Sequence, residues 1–69
     1  MRTETSVMRF TLTIDCDNAA FGEMLHERAA EIRRILNDVS ERLASDEYTI
    51  SGKLRDVNGN TVGRFWFEE

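Results

Sequence analysis

The chain has 69 residues, with 13 Asp and Glu against 9 Lys and Arg, for a formal net charge of −4 at pH 7. This length accommodates one small domain, since a chain of this size buries only about 60% of its unfolded surface. The hydrophobic fraction of 41% is typical of a folded domain and excludes a disordered tail. No run of about 20 apolar residues predicts a transmembrane helix, and the N-terminus lacks the pattern of a secretory signal.

The residues that carry most enzyme chemistry are scarce. Cys16 is the single cysteine and His26 the single histidine, which excludes an intramolecular disulfide and leaves a four-ligand zinc site without its ligands. We interpret Cys16 as a core thiol at a strand end and His26 as a surface residue of a helix. Asp15 and Asp17 lie at a strand-to-helix junction, where carboxylates usually cap helices. The sequence therefore predicts neither an enzyme, nor a cofactor, nor a metal site.

The chain begins with a segment that has no periodic pattern, and a strand follows. Residues 1–5 are expected to form a flexible lead-in to a single α+β domain over residues 6–69. Apolar and polar residues alternate over residues 6–16, which is typical of a half-buried strand. Its apolar face holds Met8, Phe10, Leu12, Ile14 and Cys16.

A long helix is predicted next. Asp17 or Asn18 is the expected N-cap, because either side chain accepts hydrogen bonds from the free amides of a helix start. Over residues 19–44 the apolar residues recur three or four apart, which predicts one continuous amphipathic helix. The stripe consists of Leu25, Ala29, Ile32, Leu36, Val39 and Leu43, with Phe21, Met24 and Ile35 on its flanks.

A hairpin ends the chain. Asn58-Gly59 between two strand-like runs predicts a type I′ turn, which needs positive φ at both residues. This turn places Leu54 opposite Gly63, Gly52 opposite Phe65 and Ile50 opposite Phe67 on one face. The other face pairs Arg55 with Val62, Lys53 with Arg64, and Ser51 with Trp66. A one-residue bulge would shift these pairings.

The predicted fold is α+β, of order β-α-β-β, in which one long amphipathic helix packs on one face of a three-stranded sheet. This arrangement buries every apolar stripe at once. The sheet contributes Phe10, Leu12, Ile14, Ile50, Leu54, Phe65 and Phe67 to the expected core, and the helix contributes Leu25, Ile32, Leu36, Val39 and Leu43.

Negative charge is concentrated on the predicted helix. Glu23, Glu27 and Glu31 are spaced four apart, so a helix stacks three like charges on one strip, at a cost of a few tenths of a kcal/mol for each pair. A basic partner would offset this repulsion, although the helix dipole and nearby arginines also account for it. The predicted partner-binding residues are Glu23, Glu27, Glu31, Asp38, Glu41, Asp46 and Glu47.

The predicted uncovered sheet face is a second candidate surface. It combines Trp66 with the cations Arg9, Lys53, Arg55 and Arg64. One interpretation is that Trp66 covers the aliphatic stems of these cations. Another is a protein or dimer contact through Trp66, Val62 and Arg64. Nucleobase stacking is a third interpretation, which the net charge of −4 disfavours.

Four segments carry a resemblance to known proteins: residues 8–14 (MRFTLTI), 15–21 (DCDNAAF), 30–36 (AEIRRIL) and 54–63 (LRDVNGNTVG). In these segments the chain resembles small acidic proteins encoded by phages and other mobile elements. In size and acidity it also resembles the small anti-CRISPR proteins, several of which bind a CRISPR surveillance complex and occupy surfaces meant for DNA. Those families share no common motif, so the resemblance assigns no functional residue.

The leading hypothesis is a non-enzymatic, phage-encoded, anti-CRISPR-like inhibitor whose acidic surface competes with DNA for a basic groove. Its expected partner is a protein, a subunit of a host CRISPR surveillance complex with a basic DNA-binding surface, and neither direct nucleic-acid binding nor membrane binding is expected. The alternative is a small self-associating structural or assembly module that uses the open sheet face around Trp66. The chain is expected in the cytoplasm of the bacterial host, as a monomer or homodimer.

Overall fold

The computed structural model describes residues 8–46 and 49–68. The predicted α+β class and the order β-α-β-β are confirmed. The elements are strand β1 (Arg9–Ile14), a single 3₁₀ turn (Ala19–Phe21), helix α1 (Leu25–Ser45), strand β2 (Ser51–Arg55) and strand β3 (Thr61–Glu68). No described helix combines the length and apolar character that crossing a bilayer requires. The lead-in predicted over residues 1–5 lies outside the described residues.

The sheet has β3 at its centre, paired antiparallel with β1 on one side and β2 on the other. The predicted hairpin register is confirmed for four pairs, Leu54/Gly63, Lys53/Arg64, Gly52/Phe65 and Ser51/Trp66. The Phe67 N–H donates to the Ile50 carbonyl at 3.0 Å, which continues the same register. β1 is shorter than the predicted strand, since Asp15 and Cys16 follow its last residue.

The hairpin turn differs from the predicted type I′ turn. Its loop has three residues, closed by hydrogen bonds from the Gly59 N–H to the Asp56 carbonyl at 3.0 Å and from the Asp56 N–H to the Asn60 carbonyl at 2.9 Å. Gly59 has a φ of 87°, whereas Asn58 has a negative φ. This is the type I turn with a glycine bulge that three-residue loops favour. The predicted Arg55/Val62 pair is therefore wrong: Arg55 lies opposite Thr61, and Val62 is the extra residue of a bulge.

The predicted continuous helix over residues 19–44 is interrupted at its start. Asn18 caps the 3₁₀ turn by accepting the Ala20 N–H at 2.9 Å, and Gly22 then takes a φ of 68°. A side chain at Gly22 would collide with the carboxylate of Glu27, so the break requires glycine. α1 starts only at Leu25. The break lets the 3₁₀ turn pack back on α1, and it places Phe21 in the core at 0% exposure.

The buried face of α1 is rotated relative to the predicted stripe. Ile35 and Val39 are buried, whereas Leu25 and Leu36, which the pattern placed in the core, are 81% and 44% exposed. On one flank of α1, Arg34 donates to the Arg55 carbonyl and so holds the helix along β2. The buried core consists of Phe21, Ile35, Val39, Leu54, Val62 and Phe65.

Because α1 lies along β2, part of the sheet's apolar face stays exposed. Three residues of the predicted core belong to this part, and they are 38% to 70% exposed: Phe67, Phe10 and Ile50. Phe10 and Phe67 lie opposite each other on β1 and β3, with ring centroids 5.0 Å apart. They form an apolar row at the end of the sheet where β1 begins.

Candidate functional site

Glu31 is a structural residue, which contradicts its predicted role as a partner-binding carboxylate. It is 8% exposed and accepts two hydrogen bonds from Arg34, both at 2.9 Å, and a third from the Val57 N–H at 2.9 Å. Arg34 in turn donates to the Arg55 carbonyl at 2.8 Å. The hydrogen bonds from Arg34, followed by that from Val57, hold the pKa of Glu31 below its ordinary value despite burial. Glu31 thus joins α1 to the hairpin.

Glu27 and Asp38 also have intramolecular partners. The Glu27 carboxylate accepts the Met24 N–H at 3.0 Å and the Glu23 N–H at 2.9 Å, which lowers its pKa and fixes the first turn of α1. Asp38 pairs with Arg42 at 2.7 Å, and Arg42 also donates to the Lys53 carbonyl at 2.7 Å. These two carboxylates remain exposed, but their hydrogen bonds serve the fold.

Among the other predicted acidic residues, Glu41 lies on the same side of α1 as Asp38, three residues further along, whereas Glu23 precedes α1 and Asp46 follows it. Glu23, Glu41 and Asp46 are exposed. Glu47 lies outside the described residues. Of the six predicted partner-binding carboxylates that the structure describes, Glu27, Glu31 and Asp38 therefore make hydrogen bonds that serve the fold, and the other three are exposed.

The residues screened for catalysis have separate environments. Cys16 is half-buried beside the core, with its Sγ 3.9 Å from the Ile14 carbonyl, and His26 is exposed on the first turn of α1. Asp15 accepts the Asp17 N–H at 3.2 Å. Among the described residues, no three His, Cys, Asp or Glu side chains are arranged to hold a metal ion.

A buried carboxylate that was not among the predicted site residues, Asp56, lies at the start of the hairpin loop. It is 4% exposed and accepts the backbone N–H groups of Asn58 and Asn60, both at 2.9 Å, and the side-chain amide of Asn18 at 2.8 Å. Burial raises the pKa of Asp56, but the hydrogen bonds from Asn60, Asn18 and Asn58 outweigh it and hold the pKa below its ordinary value. The signal was present as Asp-x-Asn-Gly-Asn, since Asp side chains bond the backbone two residues on.

The uncovered face of the sheet carries two exposed cations, Lys53 and Arg64, that form no salt bridge within the described residues. Alternation along the strands places Trp66 between Thr11 and Ser51, and the next row of side chains is Thr13, Arg64 and Lys53. A shallow depression of about 420 Å³ lies here, lined by Ser51, Gly52, Lys53, Arg64, Phe65 and Trp66. We call the side chains of Lys53, Arg64 and Trp66 the cationic face.

Two cations lie directly opposite each other on this face. Lys53 and Arg64 are register partners on β2 and β3 and are both exposed. Neither forms a salt bridge within residues 8–46 and 49–68. Like charges in such positions destabilise a sheet. Arg64 extends instead over Trp66, with its guanidinium carbon 5.0 Å from the ring centroid.

The alternative interface predicted from the sequence is only partly present on this face. Trp66 is half-buried and its indole N–H donates to Glu68 at 3.1 Å, while Arg64 covers one side of the ring. Val62 was predicted to share the face but is 7% exposed and belongs to the core, because the bulge redirects it. Trp66 and Arg64 therefore remain candidates for contact with a partner, and Val62 does not.

Comparison with known proteins gives this chain no relatives. No family model matches the sequence, and no similar curated protein or solved structure was found. The resemblance to phage-encoded and anti-CRISPR proteins therefore stays a prediction, and the functional argument depends on the geometry of this chain alone.

Proposed function

We propose that the chain is a non-enzymatic protein-binding domain whose cationic face receives an acidic surface of a partner protein. The observation that carries the proposal is the direct opposition of Lys53 and Arg64, neither of which forms a salt bridge within the part of the chain that the structure describes. A partner carboxylate placed over these two residues would relieve the repulsion. A cytoplasmic partner and location are part of the same proposal.

The residue types of this face support a protein partner. Trp and Arg dominate the binding energy of protein interfaces, because they combine a large apolar area with hydrogen-bond donors. Arg64 is already oriented by its contact with Trp66, so it loses less freedom on binding than an unrestrained arginine. The depression beside these side chains offers a site for one inserted side chain of the partner.

A nucleic-acid partner is less well supported. Stacking of a base requires a free aromatic face, and Arg64 already covers one side of the only tryptophan. The net charge of −4 further opposes association with a long polyanion. A short acidic segment of a protein interacts mainly with the local charge of the cationic face.

Photo-crosslinking in the organism that encodes the chain tests the proposal. A photo-reactive residue at exposed Thr13, beside Arg64, should form an adduct with a protein whose mass differs from that of a second copy of this chain. Lys53→Glu should abolish this adduct, and Arg33→Glu, which changes the net charge equally from the exposed surface of α1, should leave it unchanged. Loss of the adduct on nuclease treatment, or its persistence in Lys53→Glu, would contradict the proposal.

A second candidate function is the acidic competitor that displaces DNA from a basic groove of a host complex. The observation in its favour is that Glu23, which precedes α1, and Glu41, on α1, remain exposed and make no salt bridge within the described residues. A photo-reactive residue at exposed Asn37 tests this surface. An adduct formed there and abolished by Glu23→Lys combined with Glu41→Lys would favour the competitor over the cationic face.

A further inference from the structure

The two outer edges of the sheet differ in how their backbone groups are satisfied. Along β2, the Arg34 side chain donates to the Arg55 carbonyl at 2.8 Å and the Arg42 side chain to the Lys53 carbonyl at 2.7 Å. Both arginines come from α1, so the helix covers the edge of β2. Covering an edge in this way prevents it from pairing with another strand.

The edge of β1 is not covered among the described residues. The Asp15 N–H donates to the Val62 carbonyl at 2.7 Å, and these two residues continue the register of β1 with β3. Since inward and outward backbone groups alternate along a strand, Phe10, Leu12 and Ile14 direct their N–H and C=O groups outward. Within residues 8–46 and 49–68, the hydrogen bond found to these outward groups is the weak one from Cys16 Sγ to the Ile14 carbonyl, at 3.9 Å. We call these outward groups the open edge.

We propose that the open edge pairs antiparallel with the open edge of a second copy of this chain, which joins two three-stranded sheets into one of six strands. The inference goes beyond the proposed function, because it uses an edge of the sheet and leaves Lys53, Arg64 and Trp66 exposed. Strand addition to an open edge derives its affinity from main-chain hydrogen bonds and its specificity from the side chains.

Charge selects the register of this pairing. The outward groups belong to Phe10, Leu12 and Ile14. If the two-fold axis of the dimer passes beside Leu12, the Leu12 residues of the two copies lie opposite each other, and Phe10 of one copy lies opposite Ile14 of the other. In this register Arg9 lies opposite Asp15 of the second copy, and symmetry repeats the pair. A shift by one residue, with the axis at Thr11, places Arg9 opposite Thr13 and loses both attractions. Arg9 and Asp15 are both exposed in the single chain.

Exposed apolar surface beside β1 also favours pairing with a second copy of this chain. Phe10 is 41% exposed, and Leu36 is 44% exposed on the flank of α1 opposite to Arg34 and Asp38. The helix therefore leaves the apolar side of β1 accessible. Pairing of two β1 strands would bring Phe10 against Ile14 of the second copy and bury area that the single chain exposes.

A charge exchange tested by sedimentation equilibrium decides the proposal. Wild type should be dimeric, and Arg9→Asp should raise the dimer dissociation constant about tenfold, because two attractive cross-strand pairs become repulsive. Asp15→Arg, which leaves Arg9 opposite Glu68 of its own chain, should do the same, and the double variant should restore dimerisation although Asp at position 9 then lies opposite Glu68. Lys53→Glu should leave it unchanged, which separates this outcome from failure of the proposed function.

Amide hydrogen exchange locates the pairing independently. The Leu12 and Ile14 amides should gain protection as protein concentration rises, whereas the outward amide of Lys53 on the covered edge should not. A wild-type monomer at hundreds of micromolar would overturn the proposal. So would a dimer in which Leu12 exchanges at the same rate at all concentrations.

Discussion

The two faces of the sheet treat charge in opposite ways. On the helix-covered side, two buried carboxylates have hydrogen-bond donors within the chain. Glu31 accepts from Arg34 and the Val57 N–H, and Asp56 accepts from three asparagines. On the uncovered face, Lys53 and Arg64 lie opposite each other, and neither forms a salt bridge with another described residue. The charges of Glu31 and Asp56 therefore stabilise the folded chain, whereas the opposed charges of Lys53 and Arg64 do not. Charge that stability does not require is the better guide to binding.

The largest expected effect comes from removing a satisfied charge. Glu31→Ala should lower the free energy of unfolding by about 2–3 kcal/mol, because the Val57 N–H loses its acceptor and Arg34 loses its bidentate partner. Urea denaturation followed by Trp66 fluorescence measures this change. Glu41→Ala, an exposed carboxylate on the same helix, should change stability by less than about 0.5 kcal/mol. Equal effects of the two variants would contradict the structural role of Glu31.

Acid should progressively remove the stability that the ionised carboxylates of Glu31 and Asp56 contribute. Glu31 and Asp56 have pKa values below their ordinary 4.5 and 3.8, so their ionised forms stabilise the folded chain above those values. Stability should therefore be constant in this respect near neutral pH and fall as pH decreases below about 4.5. Denaturation midpoints between pH 6 and pH 3 measure the loss.

Glu31→Gln is the matched control for that acid dependence. Protonated Glu31 and Gln are similar in shape and both lack the charge, so the stability difference between wild type and the variant should shrink as pH falls. A difference that stays constant from pH 6 to pH 3 would show that ionisation of Glu31 does not stabilise the fold.

Alternation of apolar and polar residues along the strands made most of the sheet predictable, but it did not predict the type of turn. The register of Leu54 with Gly63 follows from apolar alternation on both strands. The Asn-Gly pair suggested a two-residue loop, whereas the Asp56 carboxylate holds the Asn58 and Asn60 amides in a three-residue loop. The longer loop shifts the register by one residue, so Val62 becomes a bulge and enters the core. A side chain outside the turn motif decided the geometry.

The buried face of the helix was ambiguous for a related reason. Spacings of three and four fit a stripe through Leu36 as well as one through Ile35, and local periodicity does not distinguish them. Contacts distant in sequence decide between them, including the donations from Arg34 and Arg42 to the Arg55 and Lys53 carbonyls and the packing of Ile35 in the core. The same rotation buries Glu31, so the error about the core and the error about the acidic strip have one cause.

The smallest expected effect on stability comes from the uncovered face, and it is an increase in the free energy of unfolding rather than the decrease expected for Glu31→Ala. Lys53→Glu replaces a repulsive cross-strand pair with an attractive one, and it should raise the free energy of unfolding by about 0.2–1 kcal/mol. Arg33→Glu, with the same change in net charge on the exposed side of α1, should not stabilise the chain, and urea denaturation of both variants measures the difference. Because Lys53→Glu should also abolish the Thr13 adduct, one substitution would strengthen the fold and remove the binding. A less stable Lys53→Glu variant would instead mean that the fold uses Lys53, and the opposition with Arg64 would no longer indicate a partner.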